Sequence, residues 1–206
     1  NASIDNFQPQ LVTSIRDAID DFILAGAARI QRGDNHLPTS MMILISTNSY
    51  QHFRIRELVQ EYVELMADSW PGLGHSNRLQ SRWQISFRPD IQMFDQGFEL
   101  VGGGNSTLNQ SRMFAARPVN YDCDFSSISP HIPQFLNQIR HIVLNSGAES
   151  SGEIGDNLDF DTNGYPILND EIIPNLKGIF YGGYSLGRGL TLTGLTTSYV
   201  IRLPGD

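Results

Sequence analysis

The stretch GIFYGGYSLGRGLTLTGLTTSYVIRLP, residues 178–204, places two apolar, β-prone runs on either side of a glycine-rich loop. Five glycines and Arg188 fall within residues 182–194. Glycine has no Cβ, so it takes positive φ readily and lets the backbone lie close against a phosphate or other ligand. A guanidinium offers a planar fork of donors that matches phosphate oxygens. Strand, Gly/Arg loop, strand is the order in which an open α/β sheet presents an anion site at its carboxyl edge. The same residues also make a plain glycine-rich turn between two core strands, and spacing alone does not separate the two readings.

Outward from this stretch, the chain alternates helical and strand patterns. Residues 9–32 carry Leu11, Ile15, Ala18, Ile19, Phe22 and Ile23 at helical spacing, with Pro9 suited to the first turn and Gly33 to the end. Met41-Met42-Ile43-Leu44-Ile45 is a continuous apolar run, as in a strand buried on both faces. Polar residues 46–49 follow, then a helix over about 50–69 with Ile55, Leu58, Val59, Tyr62, Val63 and Met66 on one face. Residues 71–125 scatter Trp83, Phe87, Phe94 and Phe98 among polar residues. They read as short helices and an irregular excursion with at most one strand, the aromatics serving as core anchors rather than a base-stacking platform. Ser129-Pro130 starts another helix with Phe135, Leu136 and Ile139 facing inward, and the strand His141–Leu144 ends in Asn145-Ser146. Residues 147–164 read as a polar surface loop, and a short helix near 169–176 leads into the strand Gly178–Tyr181.

The pattern predicts a three-layer α/β domain around a mostly parallel sheet over residues 37–206. An N-terminal helical segment over 1–36 precedes it, in which Asn1-Ala2 reads as the remnant of an expression tag. Three polar loops, Ser46-Thr47-Asn48, Asn145-Ser146 and Gly182 to Thr191, each follow a core strand. In an open α/β sheet such loops gather along one edge, where ligands bind. Ser46, Asn145, Gly182, Gly183, Arg188, Gly189 and Thr191 are therefore the candidate anion site. The plain alternative for Arg188 is a surface ion pair.

Composition narrows the chemistry. With 206 residues, 40% apolar and 17% charged, the chain is an ordinary globular domain with room for a substantial core. It has no apolar run of bilayer length and no signal-peptide pattern. Cys123 is the only cysteine, so no intrachain disulfide forms, and the cytoplasm is the expected compartment. A net charge of −8 argues against coating nucleic acid by bulk electrostatics but leaves a local arginine site open.

Thirteen of the fourteen basic residues are arginine. The single lysine, Lys177, sits in Asn175-Leu176-Lys177-Gly178, which fits neither a Walker A loop nor the acid-x-lysine pattern of metal-dependent nucleases. The five histidines lack zinc-ligand spacing. Asp159-Phe160-Asp161-Thr162-Asn163-Gly164 begins like a calcium loop, but Pro166 and Asp170 break the second half, which leaves a turn rich in Asp and Asn. Gly183-Tyr184-Ser185-Leu186-Gly187 spells the GxSxG of a hydrolase elbow, yet glycines interrupt the helix it requires and no histidine follows His141.

Residues 182–202 resemble the signature GGNxLSRGLTLEGLTxSYFxR of the Z-one domain, found in bacterial endonuclease and restriction-associated proteins with a superfamily-two helicase-like ATPase. Ser40–Ser46 followed by IRELVQEYVELM at 55–66, and Ile142–Ser146 followed by Leu158-Asp159-Phe160, are similar to further segments of that family in the same order. Tyr184 stands where the family has Asn, Gly187 where it has Ser, Thr193 where it has Glu and Leu44 where His is common, while Arg188-Gly189-Leu190-Thr191 keeps the pattern.

The resemblance implies a RecA-like fold, the second lobe of a helicase-type motor. Its Gly/Arg loop would lie between nucleotide and nucleic-acid backbone, with the Ser46 and Asn145 loops within reach of a DNA strand. It also implies ATP and Mg²⁺ shared with a P-loop lobe elsewhere in a longer protein, restriction-system subunits as partners, and, for this piece alone, weak binding, no cofactor and no catalysis. Two other readings stay open. One is a non-catalytic interaction module that kept the fold, favoured by Tyr184 and Gly187. The other is a metal-dependent nuclease lobe, suggested by the family's association.

Overall fold

The central strands form where apolar residues run on without alternation, and the long helices form where they recur on one face. The computed structural model describes residues 11–45, 49–87, 124–144, 156–162, 165–183 and 192–201. Helix α1 (Thr13–Gln31) leads to strand β1 (Thr39–Leu44), then α2 (Ser49–Ser69) and α3 (His75–Ser86). Short helices α4 (Phe125–Ile128) and α5 (Ile132–Leu136) precede β2 (Ile139–Val143). A small run of strands follows, β3 (Leu158–Phe160), β4 (Pro166–Leu168) and β5 (Glu171–Ile172), and then β6 (Lys177–Gly182) and β7 (Leu195–Val200). The main sheet has the order β2-β6-β1-β7 with all three pairings parallel, and β3-β4-β5 make a separate antiparallel sheet. The α/β class with a mostly parallel sheet is the one expected from the apolar runs.

All six residues of β6 are buried, as a central parallel strand covered on both faces requires. Alternate side chains feed two cores. Met41, Ile43, Val143, Ile179 and Tyr181 meet the helices, while Met42, Ile142 and Phe180 meet Leu168, Ile173, Leu176 and Leu192 on the other face. Among the described residues the third layer is thus the small antiparallel sheet.

The helix expected near 169–176 does not form. Asn169 and Asp170 take φ of 48° and 69° in a tight turn, Pro174 lacks an N–H to continue a helix, and the hairpin buries Leu168 and Ile173. Strand β3 likewise rises out of what reads as loop. Ile139, expected at the end of a helix, opens β2 instead. Two prolines explain the shift: Ser129–His131 is a 3-10 turn holding Pro130, and α5 restarts with Pro133 in its first turn and ends at Leu136.

Helix α1 shares the larger core with the sheet through Ile19, Phe22, Ile23, Leu24 and Ala27. Gly26 lets the Phe135 ring lie against it, since a Cβ there would come within 2.1 Å of that ring. Helix α3 is clasped to α1 by charge. Arg82 Nε and Nη2 donate to the two oxygens of Asp21 at 2.7 and 2.6 Å. Arg78 Nη2 donates to the buried Asp20 at 2.9 Å, and the Tyr62 hydroxyl of α2 donates to the same oxygen at 2.9 Å. Burial pushes the Asp20 carboxyl up to about 7, against the opposing pull of Arg78. Trp83 is buried and stacks on Phe87 with ring centroids 4.8 Å apart, a core role as expected. Phe94 and Phe98 lie outside the described residues.

The junction of β7 with β1 rests on Gly194. Its φ is 73°, its carbonyl accepts the Ser40 N–H at 2.9 Å, and the Ser40 hydroxyl donates to the Thr193 carbonyl at 2.9 Å. A Cβ on Gly194 would sit 2.1 Å from the Pro38 carbonyl oxygen, which is backbone and cannot swing aside. Gly33 also has a positive φ, 88°, but a Cβ there meets open space. Gly194→Ala is therefore expected to cost about 2–4 kcal/mol and Gly33→Ala only about 1 kcal/mol, read from urea unfolding midpoints.

Candidate functional site

Parallel pairing fixes where the strands end. Leu44 of β1 lies opposite Gly182 of β6, and Val143 of β2 lies opposite Tyr181. The carboxyl ends of three neighbouring strands therefore fall within about one residue of each other along one edge. The chain leaves that edge at Ile45, Leu144 and Gly183. Helix α2 begins at Ser49, four residues after Ile45, and has no acidic residue in its first turn. No carboxylate of its own first turn therefore offsets the positive end of its dipole.

The candidate residues divide between what this geometry places and what it does not. Gly182 is the last residue of β6 and Gly183 the next, both buried. Ser46, Asn145, Arg188, Gly189 and Thr191 lie outside the described residues. Ser46 follows Ile45 directly in the chain and Asn145 follows Leu144. The other half of the glycine-rich stretch belongs elsewhere. Leu192, Thr193 and Gly194 lead into the amino end of β7, where Leu195 lies opposite Ser40. The stretch therefore starts at the carboxyl edge and finishes at the amino edge, and of its five glycines Gly194 serves the join to β1.

Lys177 also sits at the amino edge, in register with Thr39 and Ile139. Its Nζ donates to the Asn35 carbonyl at 3.0 Å and to the Leu37 carbonyl at 2.5 Å, tying the turn before β1 to β6. Burial, with the Arg29 charge nearby, lowers its ammonium to about 8. Arg140 makes a loose ion pair, 3.9 Å from Glu171.

The calcium-like segment is used for backbone turns. Asp161 Oδ1 accepts the Tyr165 N–H at 2.7 Å and Asp159 Oδ1 accepts the Phe160 N–H at 2.8 Å. Just upstream, Asp156 guards the outer edge of β2. Its carboxylate accepts the Val143 N–H at 2.9 Å and its own N–H donates to the Val143 carbonyl at 2.8 Å. Among the described residues no group of three or more His, Cys, Asp or Glu is arranged to hold a metal ion. No helix among them is long and apolar enough to cross a membrane.

One polar pair was not legible from motifs. His141 Nδ1 lies 2.7 Å from the hydroxyl of Tyr181, a residue with no exposure at all. A buried phenol proton without an acceptor would cost about 1–3 kcal/mol. The economical arrangement has Tyr181 donating to Nδ1, which puts the ring proton on Nε2. The only hint in the sequence is that both residues alternate with apolar neighbours, His141 with Ile139 and Val143 and Tyr181 with Ile179, on the helix-facing side of their strands.

Burial lowers the His141 imidazole to about 4, only partly opposed by Glu64, and raises the Tyr181 hydroxyl. A histidine whose folded pKa lies below the unfolded value of 6.5 binds fewer protons in the native state. Its stabilisation is complete above about 6.5 and is lost as pH falls through about 4. His141→Gln, which does not titrate and keeps an amide near Tyr181, should flatten the fall in stability between pH 6.5 and 4 by an amount on the order of 2 kcal/mol. Urea titrations at several pH values measure it, and parallel slopes for both proteins would remove His141 as the cause.

No curated protein and no solved structure matches the chain. The family model of the Z1 domain matches residues 14–205. That span runs from the first turn of α1 past the end of β7 and contains every strand of both sheets. The chain belongs to the Z1 domain family.

Proposed function

We propose that this Z1 domain is the second, RecA-like lobe of a helicase-like ATPase in a DNA restriction or defence protein. One observation supports this reading above the rest: the carboxyl ends of β1, β2 and β6 share one sheet edge. Ser46 and Asn145 each come two residues after one of those ends, and Arg188 comes six residues after the third. Open α/β sheets bind ligands at that edge. Arg188, Gly189 and Thr191, with Gly182 and Gly183 leading to them, would face the nucleotide. Ser46 and Asn145 would meet phosphates of a DNA strand, contacts that position the strand without reading its sequence.

The residues in hand do not make a whole ATP site. The chain's one lysine is at the opposite edge, buried and bonded to two carbonyls. Phosphate cradle and Mg²⁺ would be supplied by a P-loop lobe of a longer cytoplasmic protein, alongside restriction-system subunits, and the fragment alone would not hydrolyse ATP. The rival, a binding module without motor chemistry, draws on Tyr184 and Gly187, where the chain departs from the Z-one signature.

In the full-length protein, Arg188→Ala is expected to lower DNA-stimulated ATP hydrolysis by a factor of about 10³ or more while the unfolding midpoint stays put. Turnover within a factor of about two of the parent would sink the motor reading and favour the module.

A further inference from the structure

The main sheet is finished differently at its two edges, β2 and β7. At β2, the outward N–H and C=O of Val143 are both taken by Asp156. At β7 no described residue plays that part. The Ile201 N–H donates to the Leu44 carbonyl of β1 at 2.9 Å. Backbone groups alternate in direction along a strand, so Thr197 and Tyr199 also turn theirs toward β1. Ser198 and Val200 therefore each aim an N–H and a C=O away from the sheet.

Native sheets blunt such an edge with charge, proline or a covering segment. From Leu192 to Ile201 the chain has no charged residue and no proline. Leu195, Val200 and Ile201 are instead between 38% and 45% exposed. Free backbone groups flanked by apolar side chains are a template for one more strand.

Charge and symmetry identify the occupant. With a net charge of −8, two copies of the chain repel each other over most of their surfaces. At β7 neither copy brings a charge, so that repulsion is least there. A two-fold axis at Ser198 sets two β7 strands antiparallel, with Ser198 opposite its own copy and Thr197 opposite Tyr199 of the second copy. The two Ser198 residues then exchange both backbone bonds, and a β-branched residue beside an aromatic is a favourable cross-strand pair. We infer that β7 is a self-association edge through which two copies of this chain join their four-stranded sheets into one. One strand pair with its flanking side chains lies at the low end of specific interfaces, about 1,000 Å² in total. The dimer is accordingly weak, with a dissociation constant on the order of 10–100 μM. It does not depend on the motor reading and is tested separately.

Sedimentation velocity of the full chain between ~1 and ~300 μM should show the mass rising from one copy toward two. Ser198 is exposed, so Ser198→Lys leaves the core alone and puts two ammonium groups side by side at the axis. It should weaken association at least about tenfold, with the unfolding midpoint at ~1 μM unchanged. Hydrogen-bonded partners in an antiparallel pair have Cα atoms about 5.5 Å apart, within disulfide reach. Ser198→Cys, with Cys123→Ser to remove the other thiol, should therefore cross-link two copies on mild oxidation. Ser81→Cys in the same background, exposed on α3, should not. The proposal is overturned by a single-copy mass throughout that range, or by association that Ser198→Lys leaves within a factor of about two. Cross-linking at position 81 as fast as at 198 overturns it as well.

Discussion

Strand β6 has no residue in water, and both of its neighbours run parallel to it. Parallel neighbours cannot be joined by a tight hairpin, so the chain must return from the carboxyl edge to the amino edge before each new strand. That constraint sorts the molecule into two ends with different duties. At the amino end, Lys177, Ser40 and Gly194 spend their polar groups on holding strands and turns together. At the carboxyl end, Leu44, Val143 and Gly182 stop almost level, and the chain leaves in three places side by side.

The helical face solves a different problem. Helix α3 is short on apolar residues, burying only His75, Leu79 and Trp83. Arg78 and Arg82, one turn apart, compensate by gripping Asp20 and Asp21 of α1. Exposed ion pairs contribute little, and a buried pair roughly breaks even against its desolvation. Removing Arg78 is another matter, because Asp20 would be left as a buried carboxylate with only the Tyr62 hydroxyl as partner. The clasp therefore sets how α3 lies on α1 more than it adds to total stability, and it accounts for part of a basic complement made almost entirely of arginine.

The main sheet was legible because parallel, doubly covered strands are written as continuous apolar runs: Met41 to Ile45 and Gly178 to Tyr181 could hardly be anything else. Long helices were legible from period, as Ile15 to Ile23 and Ile55 to Met66 show. The small sheet was not. Strands of two or three residues carry too few positions to show alternation, and their signals are turn residues, Asn169, Asp170 and Pro174, which also read as helix punctuation. The candidate site divides in the same way. Its strand-end framework followed from counting apolar runs, and Gly182-Gly183 stand at that edge. The role of Gly194 needed coordinates, because nothing in a sequence says that Pro38 passes within van der Waals reach of it. The His141–Tyr181 pair escaped notice because two residues 40 apart meet only through the β2–β6 register.

A chain with one lysine, and that lysine shut between β6 and the turn before β1, carries a built-in reporter of its own breathing. Amine reagents attack the neutral, accessible amine, and Lys177 is 2% exposed with two carbonyls occupying its protons. Side-chain acylation must wait for the α1–β1 connection to lift from the sheet, so its rate measures how often that corner opens. The same burial makes the folded protein nearly invisible to lysine-directed cross-linkers, whatever stands beside it.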